Sequence, residues 1–201
     1  MQAPLHFYFD FSSPYGYFAA MHIEALAGKY QRKVEWHPVL LGAIFKITEC
    51  QPLIQIPLKG KYSAHDLVRT ARFHHIPFAM PAIFPLATHL AARAVLWLIN
   101  TQGQDSAGKF VKAVYQAYFV DGVNIGDALQ LAQIATNCGF DAAALTQATA
   151  TPEIKEQLKL QVDSAIEHGV FGSPFMIVDE EPFWGFDRFD QLEAHLKNGK
   201  I

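Results

Sequence analysis

The stretch FYFDFSSPYGYFAA, residues 7–20, most constrains how this chain can fold. Phe7 and Phe9 alternate with Tyr8 and Asp10, the period-two pattern of a strand. The strand ends at Asp10, a turn carries Ser12 and Ser13, and Pro14 opens a helix. Proline suits a first helical turn because its missing N–H has no intrahelical role there. Ser12 or Ser13 caps the helix. A hydroxyl and several free backbone N–H groups therefore meet at a positive helix end, where an anion is stabilised. An ordinary strand–helix junction with a serine cap has the same pattern, so these residues alone leave both readings open.

The 201 residues suffice for one elaborated domain or a domain with a large insertion. Sixteen basic and 19 acidic residues give a formal charge of -3, and no Arg/Lys run is present, so a nucleic-acid partner is not expected. The beginning of the sequence lacks a basic segment followed by a hydrophobic region and a cleavage signal. The apolar run 91–99 is shorter than the roughly twenty residues that span a bilayer. The expectation is a soluble cytoplasmic protein with no membrane partner. Cys50 and Cys138 form neither a CxxC pair nor a metal-spaced cluster, which points to two free thiols and no metal.

Along the chain, residues 15–29 carry Phe18, Ile23 and Leu26 at helical spacing. Residues 32–37 alternate around Val34 and Trp36 as a second strand, limited by Pro38. The helix between them can serve as the crossover joining parallel strands. Residues 39–58 read as loops and short helical turns, and 59–62 as a small polar patch. Ser63 is placed to cap a helix reaching about His74, with Asp66 and Arg69 three apart as a surface pair. HIPFAMPAIFP, residues 75–85, reads as a rigid, largely buried loop. Helical patterns follow at 88–100, 106–119, 128–137, 141–148 and from Pro152 to near His168, punctuated by Gly103, Gly122 and Gly139. After Gly172-Ser173-Pro174 come strands at 175–178 and 182–184, then a last helix that Asp187 can cap. This distribution suggests an α/β, thioredoxin-like core at 1–38 and 169–201. A predominantly helical insertion at 39–168 interrupts it, with its last helix on the core.

Three blocks, in order, carry a resemblance: FYFDFSSPYGYFAA, KGKYSAHDLVRTARFHHIPFAMPAIFP and VFGSPFMIVDEEPFWGFDRFDQLEAHL. They resemble the 2-hydroxychromene-2-carboxylate isomerase family, related to kappa-class glutathione transferases and to bacterial disulfide oxidoreductases with an inserted helical domain. The resemblance implies a glutathione-dependent enzyme with an aromatic small-molecule substrate, acting as a homodimer. The family's active-site serine maps to Ser13, and SSPY in place of a cysteine pair speaks against dithiol redox chemistry in the protein itself. A serine there is suited to donate a hydrogen bond to a bound thiolate.

The resemblance assigns further residues. Ser173-Pro174 matches a cis peptide whose preceding residue binds the cofactor through its backbone. Asp187 falls near the glutamyl end of glutathione, and Phe186 stands where the transferase branch has a serine. Trp184 shapes the pocket, and Lys61, slightly ahead of Lys59, is a candidate for an anionic carboxylate. Tyr17, Cys50, Tyr62 and Phe78 are substrate-pocket candidates, with Cys50 also readable as a small buried hydrophobe. The implied reaction interconverts 2-hydroxychromene-2-carboxylate and trans-o-hydroxybenzylidenepyruvate. Glutathione conjugation of electrophiles, or glutathione binding without catalysis, are the other readings.

Overall fold

The structure, a computed structural model, describes residues 2–201. Strand β1 (Leu5–Phe9) is buried on both sides because it lies inside a four-stranded sheet of order β2-β1-β3-β4. It runs parallel to β2 (Val34–Pro38), with Leu5 opposite Val34 and Phe9 opposite Pro38. Helix α1 (Pro14–Lys29) makes the crossover between them, as the alternation of elements leads one to expect. On its other side β1 pairs antiparallel with β3 (Phe175–Val178), which forms a hairpin with β4 (Glu181–Trp184). Asp179 and Glu180 both adopt positive φ at the hairpin tip, so the turn twists with its strands.

Between β2 and β3 the chain is helical. It forms α2 (Leu41–Thr48), a 3-10 turn (Leu53–Gln55), α3 (Lys59–Phe73), α4 (His89–Phe119), α5 (Ala128–Asn137), α6 (Ala142–Ala150) and α7 (Pro152–Glu167). The two patterns on either side of Gly103 are one long element bent there, since Gly103 at φ 82° and ψ 178° leaves helical geometry. Asp127, Asp141 and Thr151 cap α5, α6 and α7 through their side-chain oxygens. One sheet face packs Phe7, Phe9 and Trp36 against α1 and α4, with Phe7 meeting the Trp36 ring edge-on at 5.2 Å. The other face sets Tyr8 and Phe175 among Ile44, Leu96, Leu158 and Val162 of α2, α4 and α7. Among the described residues no helix is long and apolar enough to cross a membrane.

The structure corrects three local expectations. Helix α3 begins at Lys59, so Ser63 is a buried residue inside the helix and not its cap. Gly60 allows this early start: a Cβ there would lie 2.4 Å from the Ile54 carbonyl oxygen, so the preceding 3-10 turn folds directly onto the helix. Residues 75–85 are mostly exposed, with Ile76 and Pro81 buried and Phe78, Phe84 and Pro85 half-buried. They form a strap laid over the core, held where Ala79 N–H donates to Phe119 O at 2.7 Å and Tyr17 Oη donates to Pro77 O at 2.7 Å. The last helix, α8 (Phe189–Asn198), has Arg188 at its cap position; Asp187 lies one residue earlier, in a 3-10 turn (Phe186–Arg188), and caps nothing.

Helix α4 crosses the sheet so closely at Gly108 that a Cβ there would meet Glu24 Oε1 and Trp36 Nε1, each at 2.6 Å. The Glu24 carboxylate can swing away, but the buried indole cannot. Gly108→Ala is therefore expected to lower the unfolding free energy by about 1–3 kcal/mol, read as a lower urea midpoint at unchanged slope.

Candidate functional site

The turn after β1 is built on Asp10, whose side chain is buried. Its carboxylate accepts from Ser12 N–H at 2.9 Å, Leu41 N–H at 2.7 Å and Thr88 Oγ1–H at 2.7 Å. Burial raises its pKa, and these hydrogen bonds pull the other way. The Asp10 backbone is engaged as well. Its N–H donates to Ser173 Oγ at 3.0 Å, and its carbonyl accepts from Ser13 N–H and Tyr115 Oη, each at 2.9 Å. Burial, followed by the neighbouring Asp10, holds the Tyr115 phenol well above the ordinary tyrosine value, so it stays a donor.

Ser13, the expected site residue, is the α1 cap: its Oγ accepts from Gly16 N–H at 3.0 Å. The same hydroxyl donates to the Ser173 carbonyl at 2.7 Å, and the side chain is only 6% exposed, so its single proton is already directed at the neighbouring loop. Pro14 has no N–H, Gly16 N–H is taken by Ser13 Oγ, and Tyr17 N–H bonds the Ser13 carbonyl at 3.0 Å. The Tyr15 amide is left as the donor of this turn that makes no bond among the described residues. The Ser173–Pro174 peptide is cis, and a second cis bond, not anticipated, precedes Pro85. Gly16 permits the close approach of helix and loop, since a Cβ there would lie 2.7 Å from Tyr115 Oη and 2.8 Å from Ser173 Oγ.

Around this centre the structure distributes the other candidates. Trp184 is 55% exposed; its ring packs on exposed Phe171 at 4.9 Å, and its indole lies over Gly172, where a Cβ would come within 2.3 Å of Nε1. Gly185 N–H donates to the Pro174 carbonyl at 3.1 Å, tying the Asp187 segment to the same loop. Asp187 itself is 74% exposed and, among the described residues, pairs only with adjacent Arg188, at 3.1 Å. Tyr15 Oη donates to Asp66 at 2.6 Å, which joins α1 to α3; burial, that bond and nearby Asp66 raise the Tyr15 pKa. Asp66 and Arg69 form the expected pair, and Arg69 also donates to Tyr62 Oη at 3.0 Å. Lys61 is exposed on the first turn of α3.

Two candidates lie away from any open surface of this centre. Tyr17 is buried in the aromatic core against Phe119, and burial followed by Asp121 pushes its phenol up to about 12. Phe78 packs half-buried on Phe18 and Phe119. Cys50 is exposed just beyond α2, with its thiol near the Thr48 carbonyl at 3.5 Å, and is not the small buried hydrophobe expected. The end of α2 turns outward through the left-handed Glu49, which carries Cys50 off the core.

The protein-family model described as a DSBA-like thioredoxin domain matches residues 4–197. The chain belongs to the DSBA-like thioredoxin family. Within that family it is similar to 2-hydroxychromene-2-carboxylate isomerase from Sphingobium xenophagum, at 32% identity over 98% of this chain and 99% of the relative. It is also similar to glutathione S-transferase kappa 1 from Homo sapiens, at 26% identity over 96% and 90% of the two chains. The solved structure of a 2-hydroxychromene-2-carboxylate isomerase superposes with a TM-score of 0.87 at 26% identity, covering 96% of this chain and 94% of the other.

In this DSBA-like chain the sequence reading missed Asp10, Thr88 and Tyr115 as builders of the turn. A carboxylate closing an otherwise apolar strand was the available signal for Asp10. All three of its partners donate, so an asparagine amide would leave Leu41 N–H facing an N–H₂ group. Asp10→Asn is expected to cost roughly 1–3 kcal/mol of stability in urea unfolding, whereas exposed Asp187→Asn is expected to leave the midpoint unmoved.

Proposed function

We propose that this protein is a glutathione-dependent enzyme that isomerises 2-hydroxychromene-2-carboxylate or a related aromatic compound opening to a conjugated ketone. One observation carries the reading: Ser13, a hydroxyl and not a redox thiol, caps α1 directly beside cis Ser173–Pro174. The names of the similar proteins, an isomerase and a glutathione S-transferase, support it.

The donors present suit an anionic sulfur: one hydroxyl, one spare amide at Tyr15 and the positive end of a sixteen-residue helix. Neither Cys50 nor Cys138 lies in this turn, so the reactive sulfur must come from outside the chain. When bound, glutathione supplies a thiolate that adds reversibly to the conjugated carbon of the substrate and frees its double bond to rotate. Ser13 turns its proton from the Ser173 carbonyl toward the sulfur, and each 1.4 kcal/mol of such preference for the thiolate lowers the thiol pKa by about one unit. The Ser173 and Pro174 backbone holds the peptide portion, and the exposed Asp187, paired here with Arg188, takes the amino group. Lys61 draws the substrate carboxylate, and the exposed Trp184 and Phe171 rings shield the aromatic part from water. Tyr62 accepts from Arg69 and keeps its own proton to give at Oη.

The test is turnover of 2-hydroxychromene-2-carboxylate followed by absorbance, with product analysis. Activity is expected to need glutathione without consuming it, and Ser13→Ala is expected to lower kcat/KM on the order of a hundredfold. Stoichiometric loss of glutathione into an adduct would instead establish conjugation, and full activity without glutathione would reject the proposal.

A further inference from the structure

At the far end of β1 from Ser13, on the face covered by α7, three side chains converge from two neighbouring strands. In the parallel register His6 stands opposite Glu35 and Tyr8 opposite His37, so His6, Glu35 and His37 all project from one face. His6 Nδ1 lies 3.0 Å from His37 Nε2 and 3.3 Å from Glu35 Oε2, and the last two atoms are 3.9 Å apart. A tetrahedral ion bound at 2.0–2.1 Å by nitrogen and oxygen spaces its ligand atoms about 3.3 Å apart. The three observed separations bracket that value.

Without an ion this arrangement is short of protons. A hydrogen on His6 Nδ1 can be shared between both neighbours, but His37 Nε2 and Glu35 Oε2 then face each other with lone pairs only. A cation relieves that opposition. The His37 ring stacks on Tyr8 at 4.6 Å, which fixes its plane, and Gln161 Nε2 lies 3.4 Å from His37 Nδ1. A half-turn of that amide brings Gln161 Oε1 to His37 Nδ1, where it accepts the Nδ1 proton and leaves Nε2 as the lone-pair atom, the outer support that metal-binding histidines usually have. The side chains of His6 and Glu35 are 36% and 39% exposed, against 20% for His37, which leaves a way in from the solvent side.

We propose that His6 Nδ1, His37 Nε2 and a Glu35 carboxylate oxygen bind one divalent transition-metal ion of the zinc class, with water in the fourth position. Two imidazoles and one carboxylate favour Zn²⁺, Co²⁺, Ni²⁺ or Cu²⁺ over Mg²⁺ and Ca²⁺, which prefer all-oxygen sites. This site is separate from the Ser13 turn and does not depend on the proposed isomerase activity. The sequence analysis expected no metal from the spacing of Cys50 and Cys138; Glu35 and His37 stand two residues apart, but His6 lies 29 residues earlier. Only the pairing of β1 with β2 brings position 6 to positions 35 and 37.

The test is a Co²⁺ titration of the metal-stripped full chain, followed by visible absorption, with Zn²⁺ as competitor. One equivalent is expected to give the intense bands of a four-coordinate site and to be displaced by Zn²⁺. His6→Gln and Glu35→Gln are each expected to weaken binding at least about tenfold with unchanged far-ultraviolet circular dichroism; both positions are exposed enough to fold with the substitution. Cys50→Ser is expected to leave the bands as they are. Absence of saturable binding at micromolar ion, or binding that survives both replacements undiminished, would overturn the proposal.

Discussion

A buried carboxylate without enough donors is among the costliest groups a fold can contain, and Asp10 sets that condition at the end of the central strand. Its solution recruits the chain at distant points: Leu41 at the start of α2, Thr88 just before α4, and Ser12 in its own turn. The Asp10 backbone adds Ser173 and Tyr115. Helix α1 therefore starts at a fixed place, and the cis-proline loop is held against it. Loosening any of the three side-chain contacts leaves the same carboxylate short of a donor, so the turn behaves as one unit.

That rigidity gives the site its chemistry. In a DSBA-like framework a cysteine at the helix start would exchange disulfides; Ser13 instead offers a hydroxyl, a hydrogen-bond donor with no redox sulfur. In this structure its proton goes to the Ser173 carbonyl, and under the proposed function that proton turns to an arriving anion. The aromatic side chains fall into two populations with different work. Phe7, Phe9, Tyr17, Trp36, Tyr115 and Phe119 are buried and hold the helices to the sheet, whereas Phe171 and Trp184 remain exposed beside the cis-proline loop. The second group is open to solvent beside that loop.

Local chemistry made much of this legible in the sequence. The Phe7–Asp10 alternation, the Ser13–Pro14 helix start and the Gly103 break each act within a few residues, and each appears where the pattern puts it. Interactions between distant segments were not legible. The Asp10 partners lie 31, 78 and 163 residues away at Leu41, Thr88 and Ser173, and no spacing rule connects them. The same cause misplaced the α3 start, which depends on Gly60 meeting the Ile54 carbonyl, and hid the convergence of His6 with Glu35 and His37. Tyr17 illustrates the opposite error: a residue close to the site in sequence, turned by helical geometry into the core.

Under the proposed function the first turn of α1, with Ser13, ionises a thiol supplied by a bound tripeptide. The most direct measurement is the pKa of glutathione bound to the protein, followed by thiolate ultraviolet absorbance against pH, with S-methylglutathione as the blank to cancel Cys50 and Cys138. The expected result is a pKa at least about one unit below that of free glutathione, returning toward the free value in Ser13→Ala. An unshifted thiol in the wild-type complex, or the same shift with Ser13 replaced, would contradict it.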